Sequence, residues 1–124
     1  MVNQRTSLLA EFFRYIGLKM TGNPTAASIH SQNRSFLESF GINWLQCSIV
    51  WQMIYSDLYQ EHKKYIKKDH LLWCLLFLKN YSKNKTDAKT AGVTYKTFSK
   101  WVWIVIIAIA DCDADVVSNL LLFM

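Results

Sequence analysis

Breakers are rare in this chain, and their rarity limits what it can fold into. Pro24 is the single proline, and Gly17, Gly22, Gly41 and Gly92 are all the glycines among 124 residues. A turn-rich β-sandwich needs such residues at its reversals, so their scarcity favours long helices. Hydrophobic residues make up 52% and aromatics 15%, too much apolar surface for a disordered chain. The length suits one domain with a real core and is too short for two comfortable ones. The expectation is an all-α fold, a small helical domain of about five to seven helices containing a helix-turn-helix.

Apolar spacing places the helices. Over Ser7 to Met20 apolar residues recur at 8, 9, 12, 13, 16 and 18, the rhythm of an amphipathic helix. The stretch TGNPTAASIHSQN, Thr21 to Asn33, collects Gly, Asn, Pro, Thr and Ser and reads as a loop or linker. A boundary there divides the chain into an N-terminal helix with its linker (1–32) and a helical helix-turn-helix domain (33–124). The first helix is then an arm docked on the main body, or mobile. A short helix holding Phe36, Leu37 and Phe40 stops at Gly41, a residue suited to a left-handed cap. Asn43 caps a longer helix whose positions 44, 47, 50, 51, 54, 55 and 58 keep a 3.6-residue rhythm. Its Trp44, Trp51 and Tyr55 read as core. Asp69 is the expected N-cap of a helix running through Lys79. That helix is apolar on nearly every face from Leu71 to Leu78 and should be central. His70 at its start reads as a polar neighbour of the cap rather than a ligand.

Charge is unevenly spread. Between Glu61 and Lys100 lie ten lysines (63, 64, 67, 68, 79, 83, 85, 89, 96 and 100) and three acids (Glu61, Asp69 and Asp87). The rest of the chain has four basic and six acidic residues. A polyanion would therefore meet the middle of the sequence and not its ends.

Several classes of function find no support. Cys47, Cys74 and Cys112 lie far apart among apolar residues, with no CxxC or Cys/His spacing, and read as buried thiols. Asp111, Asp113 and Asp115 alternate in DCDAD but lack the glycine and distant Glu of a calcium loop. No Ser/His/Asp set or phosphate-binding glycine loop is visible. No catalytic residue, metal site or cofactor is therefore expected, and no enzyme. The runs LLWCLLFL and WVWIVIIAIA are each about half the roughly 20 residues a bilayer span needs, and the N-terminus lacks the features of a signal peptide. No membrane is expected among the partners.

The most informative stretch is TDAKTAGVTYKTFSKWVW, Thr86 to Trp103. Asn84 can cap a helix over Lys85 to Ala91, with Asp87 as the reciprocal partner three residues on. Gly92 ends it. Thr94 can cap a second helix from Tyr95 to about Asp111, with Phe98, Trp101, Val102, Val105, Ile106 and Ile109 on its inner face. A helix-turn-helix needs a small residue where the helices meet, a residue tolerant of positive φ in the turn, an apolar plug and a buried anchor. Ala88, Gly92, Val93 and Phe98 fit these places in turn. On the outer face, Tyr95, Lys96, Thr97, Ser99 and Lys100 can donate hydrogen bonds to phosphates or base edges. They gather at the N-terminal end, the end such folds insert into the major groove. Lys83, Lys85 and Lys89 would flank them at the phosphates. These eight residues are the candidate contacts to double-stranded DNA.

The segments NRSFLESFGINWLQCSIVWQMI, DHLLWCLLFLKNYSKNKTDAKTAGVTYKTFSKWVW and IVIIAIADCDADVV, in that order, give the stretch from about Asn33 to Val117 a family likeness. It resembles the N-terminal helical region of PIF/Harbinger-like transposases of the DDE superfamily. HLLWCLLFLKNY followed by AGVTYKTFSKWVW is its most distinctive part. The resemblance implies an all-α helix-turn-helix module that helps a transposase engage DNA in the nucleus. In that family, metal-dependent strand cleavage belongs to a separate domain whose three acidic residues are well separated in sequence. Asp111, Asp113 and Asp115 lie too close together to be that triad, and the chain reaches Met124 before any such domain. The expectation is thus a truncated or domesticated module without nuclease activity of its own. A rival reading is a protein-interaction or dimerisation module, since five tryptophans and the apolar NLLLFM could form a docking surface for a second copy or for the missing nuclease domain.

Overall fold

Asn3, Ser28, Asn43 and Thr94 each turn a side-chain oxygen onto the backbone N–H three residues ahead, at 2.8, 3.2, 2.9 and 3.3 Å. Each of them starts a helix, because the capped N–H is one of the donors a helix leaves unpaired at its beginning. The computed structural model describes residues 3–80 and 84–112. Among them are α1 (Gln4–Met20), α2 (Ile29–Phe40), α3 (Trp44–His62), α4 (Lys68–Asn80), α5 (Asn84–Ala91) and α6 (Tyr95–Ala110), with a single 3-10 turn at Lys63–Tyr65. The described residues contain no strand. The fold is all-α, as the scarcity of breakers implies.

Glycine closes three of these helices. Gly22, Gly41 and Gly92 have φ of 72°, 82° and 78°, values that an L side chain adopts only at a cost. At Asn43 the cap is reciprocal: the Gln46 side chain accepts from the Asn43 N–H at 2.8 Å while Asn43 accepts from Gln46. That capping box satisfies two donors at once.

Helix α4 is the centre of the molecule. Residues 70 to 76 are all buried, and the helix packs against α2, α5 and α6 as well as α1 and α3. Helix α1 lies along α3 and shares one core with the rest, since Phe13 and Leu18 are fully buried together with Phe36, Ile54, Leu72 and Val102. A Gln52 amide bonds Thr6 Oγ1 at 3.0 Å across α3 and α1. Gly17 permits the closest approach of α1 to α2, because a Cβ there would fall on the Phe36 ring and within 2.9 Å of Phe40.

Three local expectations change. The linker is shorter than the composition suggests, because α2 begins at Ile29 and leaves only Thr21 to Ser28 outside a helix. The polar run SIHSQN hides that start. What fixes it is tertiary: buried Gln32 donates to the Thr25 and Ala27 carbonyls (3.1 and 2.6 Å) and accepts from Arg14 at 2.6 Å. Asp69 is not the cap of α4, since the helix already contains Lys68. Its carboxylate sits in the first turn, where it complements the helix dipole. Asn84 likewise lies inside α5, and the Asp87 carboxylate is buried, accepting from the Asn80 amide at 2.9 Å.

Candidate nucleic-acid interface

The link between α5 and α6 is built from the last turn of α5 upward. The Val93 N–H reaches back to the Ala88 carbonyl and the Gly92 N–H to that of Lys89, both at 3.1 Å. This pair of bonds needs a left-handed residue at the helix exit, and Gly92 supplies it. A Cβ on Gly92 would meet nothing within 4 Å, so the demand for glycine there is conformational and not steric. Ala88 is buried to 2% exposure and Phe98 completely, while Val93 packs partly buried against the same core. Thr94 then opens α6, its Oγ1 accepting from the Thr97 N–H and donating to Thr97 Oγ1 at 3.0 Å.

Helix α6 has two faces. Phe98, Trp101, Val102, Val105 and Ala108 turn inward onto α4, with Ile106 and Ile109 partly buried beside them. Lys96, Lys100, Trp103 and Ile107 are exposed, and their three- and four-residue spacing makes them one outward stripe. Its N-terminal half is cationic and its C-terminal half apolar.

The expected DNA-contact residues are not equivalent in the structure. Tyr95, Lys96 and Lys89 are exposed. Lys100 is exposed too, its Nζ 5.3 Å from the Trp101 ring centroid. Thr97 is exposed, but its hydroxyl is held by Thr94, and it lies on the opposite flank of α6 from half-buried Ser99. Lys83, and the side chain of Lys85, lie outside the described residues, as do Asp113 and Asp115.

A second cationic element is added by the fold. Lys100 lines a cleft of about 480 Å³ together with Glu61, His62, Lys63, Tyr65 and Trp101. Lys63 there has φ of 47°, an uncommon setting for a non-glycine residue. The pairing of residues 61–65 with 100–101 joins distant parts of the chain, and the lysine pair KK before α4 is the sequence signal that could have drawn attention to it.

Beneath this cleft the Trp101 indole is stacked on the His70 imidazole, 4.0 Å between centroids and 7° between planes, with His62 edge-on at 5.4 Å. His70 Nδ1 accepts the backbone N–H of Lys67 at 3.1 Å, so His70 does belong to the cap of α4. Burial first, then the positive charge of Lys67 and the nearby His62, lower its pKa from 6.5 to about 4. The ring is therefore neutral at neutral pH. Burial also pushes the thiol pKa of Cys74 up to about 12 and that of Cys47 higher still, which leaves both as inert core residues. Cys112 is half-buried, its Sγ 3.3 Å from the Ala108 carbonyl.

Among the described residues no three His, Cys, Asp or Glu side chains come together as a metal site, and no helix is long and apolar enough to cross a membrane. No family model, curated protein or solved structure matches the chain.

Proposed function

We propose that this chain is a module that binds double-stranded DNA, with α5, the Gly92 turn and α6 as a helix-turn-helix and the N-terminal half of α6 as its recognition element. One observation carries the reading: Lys96 and Lys100 project from a helix whose opposite face is anchored by fully buried Phe98. A cationic helix end held on a rigid core suits insertion into a groove lined by phosphates. Tyr95 and Lys89 are exposed as well, and Lys83 and Lys85 extend the cationic run along the sequence. Because Thr94 holds the Thr97 hydroxyl and Ser99 is half-buried, Lys96 and Lys100 are assigned most of the binding.

The same reading makes the chain the DNA-engaging module of a PIF/Harbinger-like transposase, acting in the nucleus without nuclease activity of its own. The support is the ordered run HLLWCLLFLKNY and AGVTYKTFSKWVW. These segments fall on α4 and, from the last residue of α5, on the first part of α6, and α4 and α6 pack on one another.

Duplex binding followed against salt concentration tests the proposal. Each phosphate neutralised contributes about −0.9 to the slope of log affinity against log salt, so five lysines at phosphates give a slope of about −4 to −5. Lys96→Ala combined with Lys100→Ala should weaken binding by at least about ten-fold with helicity and melting unchanged. Undetectable binding at low salt, or a double variant that binds like the parent, refutes it.

A further inference from the structure

We infer that the outward stripe of α6 is a self-complementary surface that pairs with the same stripe of a second copy, antiparallel and about a two-fold axis near Trp103. Trp103 and Ile107 are 53% and 57% exposed, a large apolar pair to leave uncovered in the middle of a helix. Charge on either side of them is opposite in sign. Toward the N-terminus stand Lys96 and Lys100. Toward the C-terminus Asp57 and Asp111 line a groove with Ile104, Ile107 and Ala108, where the end of α3 lies beside α6. Glu61 also lines this groove, but it borders the Lys100 cleft as well and so stands between the two halves.

An antiparallel register centred on Trp103 sets Lys96 opposite Asp111 of the other copy, since the two lie nearly equal distances from the centre. Lys100 then meets Ile107 of the other copy, at the groove that Asp57 borders. A two-fold axis makes each such contact occur twice. Charge complementarity within one face is what selects a second copy of this chain as the occupant. A foreign partner would have to present the same sequence of lysine, apolar pair and acid.

The stripe from Lys96 to Asp111 is about 22 Å long at the helical rise of 1.5 Å per residue and about 10 Å wide, so it covers about 220 Å², well below the roughly 800 Å² that each partner of a stable dimer hides. The dimer is accordingly weak and transient. It also covers Lys96 and Lys100. On the DNA-binding reading proposed above, and only on it, dimer and duplex therefore exclude one another, and self-association regulates access to DNA.

Sedimentation equilibrium of the full chain over a hundred-fold concentration range tests the pairing. The wild type should pass from monomer to dimer. Ile107→Gln should raise the dissociation constant by about ten-fold by removing apolar contact twice. Lys96→Glu should raise it by about ten-fold by opposing like charges twice. Lys96→Glu with Asp111→Lys should return it to within about two-fold of the wild type, because the exchanged charges meet again. Circular dichroism checks that each variant keeps the parent helicity. A wild type that stays monomeric throughout, or a charge-exchanged pair that stays as weak as Lys96→Glu alone, overturns the inference. Duplex titrations at protein concentrations below and above the dimer constant separate the two proposals. Competition predicts an apparent affinity that weakens with concentration in the wild type and is constant in Ile107→Gln. If no duplex binds at any concentration, the DNA reading fails while the masses still decide the dimer.

Discussion

Acidification should destabilise this protein through a single side chain. His70 is 4% exposed, stacks on Trp101 at 4.0 Å and uses Nδ1 to accept the Lys67 N–H. A proton on Nδ1 would bury a charge away from water, next to Lys67, and remove that acceptor. The folded state therefore holds His70 neutral down to about pH 4, against 6.5 for the ordinary side chain. The unfolded chain takes up its proton first as pH falls, so the stabilisation is complete above about 6.5 and is lost progressively toward 4. From about pH 7 to about pH 5 the loss amounts to about 2 kcal/mol, and it approaches about 3 kcal/mol below the folded value. Against the 5–15 kcal/mol typical of a domain, that is a large share. Urea unfolding followed by tryptophan fluorescence across this range measures it. His70→Gln is the control, because glutamine at the third helical position can still accept the cap N–H and does not titrate. The variant should be less stable than the parent at neutral pH, for want of the stacked ring, yet have a flatter acid branch. Equal losses in parent and variant between about pH 7 and 5 would refute the role given to His70.

Two further outcomes follow from the helix glycines. Gly17→Ala should lower stability by about 1–3 kcal/mol in chemical denaturation, since overpacking against Phe36 and Phe40 outweighs the roughly 1 kcal/mol that alanine normally adds to a helix; a more stable variant would show that α1 and α2 can separate freely. Gly92→Ala should cost about 1–2 kcal/mol from its positive φ alone, with Gly92→Asn milder, and identical effects of the two would point to a steric origin instead.

Many helix ends were legible from local signals, although Asp69 and Asn84, read as caps, lie inside their helices. Asn43, Thr94, Gly41 and Gly92 act within a few residues of themselves, and all four end or begin helices where their chemistry says they should. The six consecutive buried residues from Leu71 to Leu76 were equally plain as a central helix. Signals that depend on distant parts of the chain were not legible. Gln32 reads as an ordinary polar residue until the Thr25 and Ala27 carbonyls and Arg14 are brought round it. The cap of α4 lies two residues before Asp69; an aspartate is the commoner cap, whereas here the imidazole of His70 answers Lys67 from the third position. Of the candidate DNA contacts, the sequence could list the donors on α6 but not their directions. Burial is what sets Lys96 and Lys100 apart from Ser99, and a hydrogen bond within the first turn is what occupies Thr97.

The central place of α4 has a consequence for how the protein is made. Its apolar run is closed over by α6, and α6 follows it in the sequence. During synthesis, α1 and α3 can find each other early, but Leu71 to Leu76 leave the ribosome before the helix that covers them exists. For that interval, at about 5–20 residues per second, the nascent chain carries its stickiest segment bare. A chain interrupted between α4 and α6 would keep that segment exposed, a state that favours aggregation or capture by chaperones.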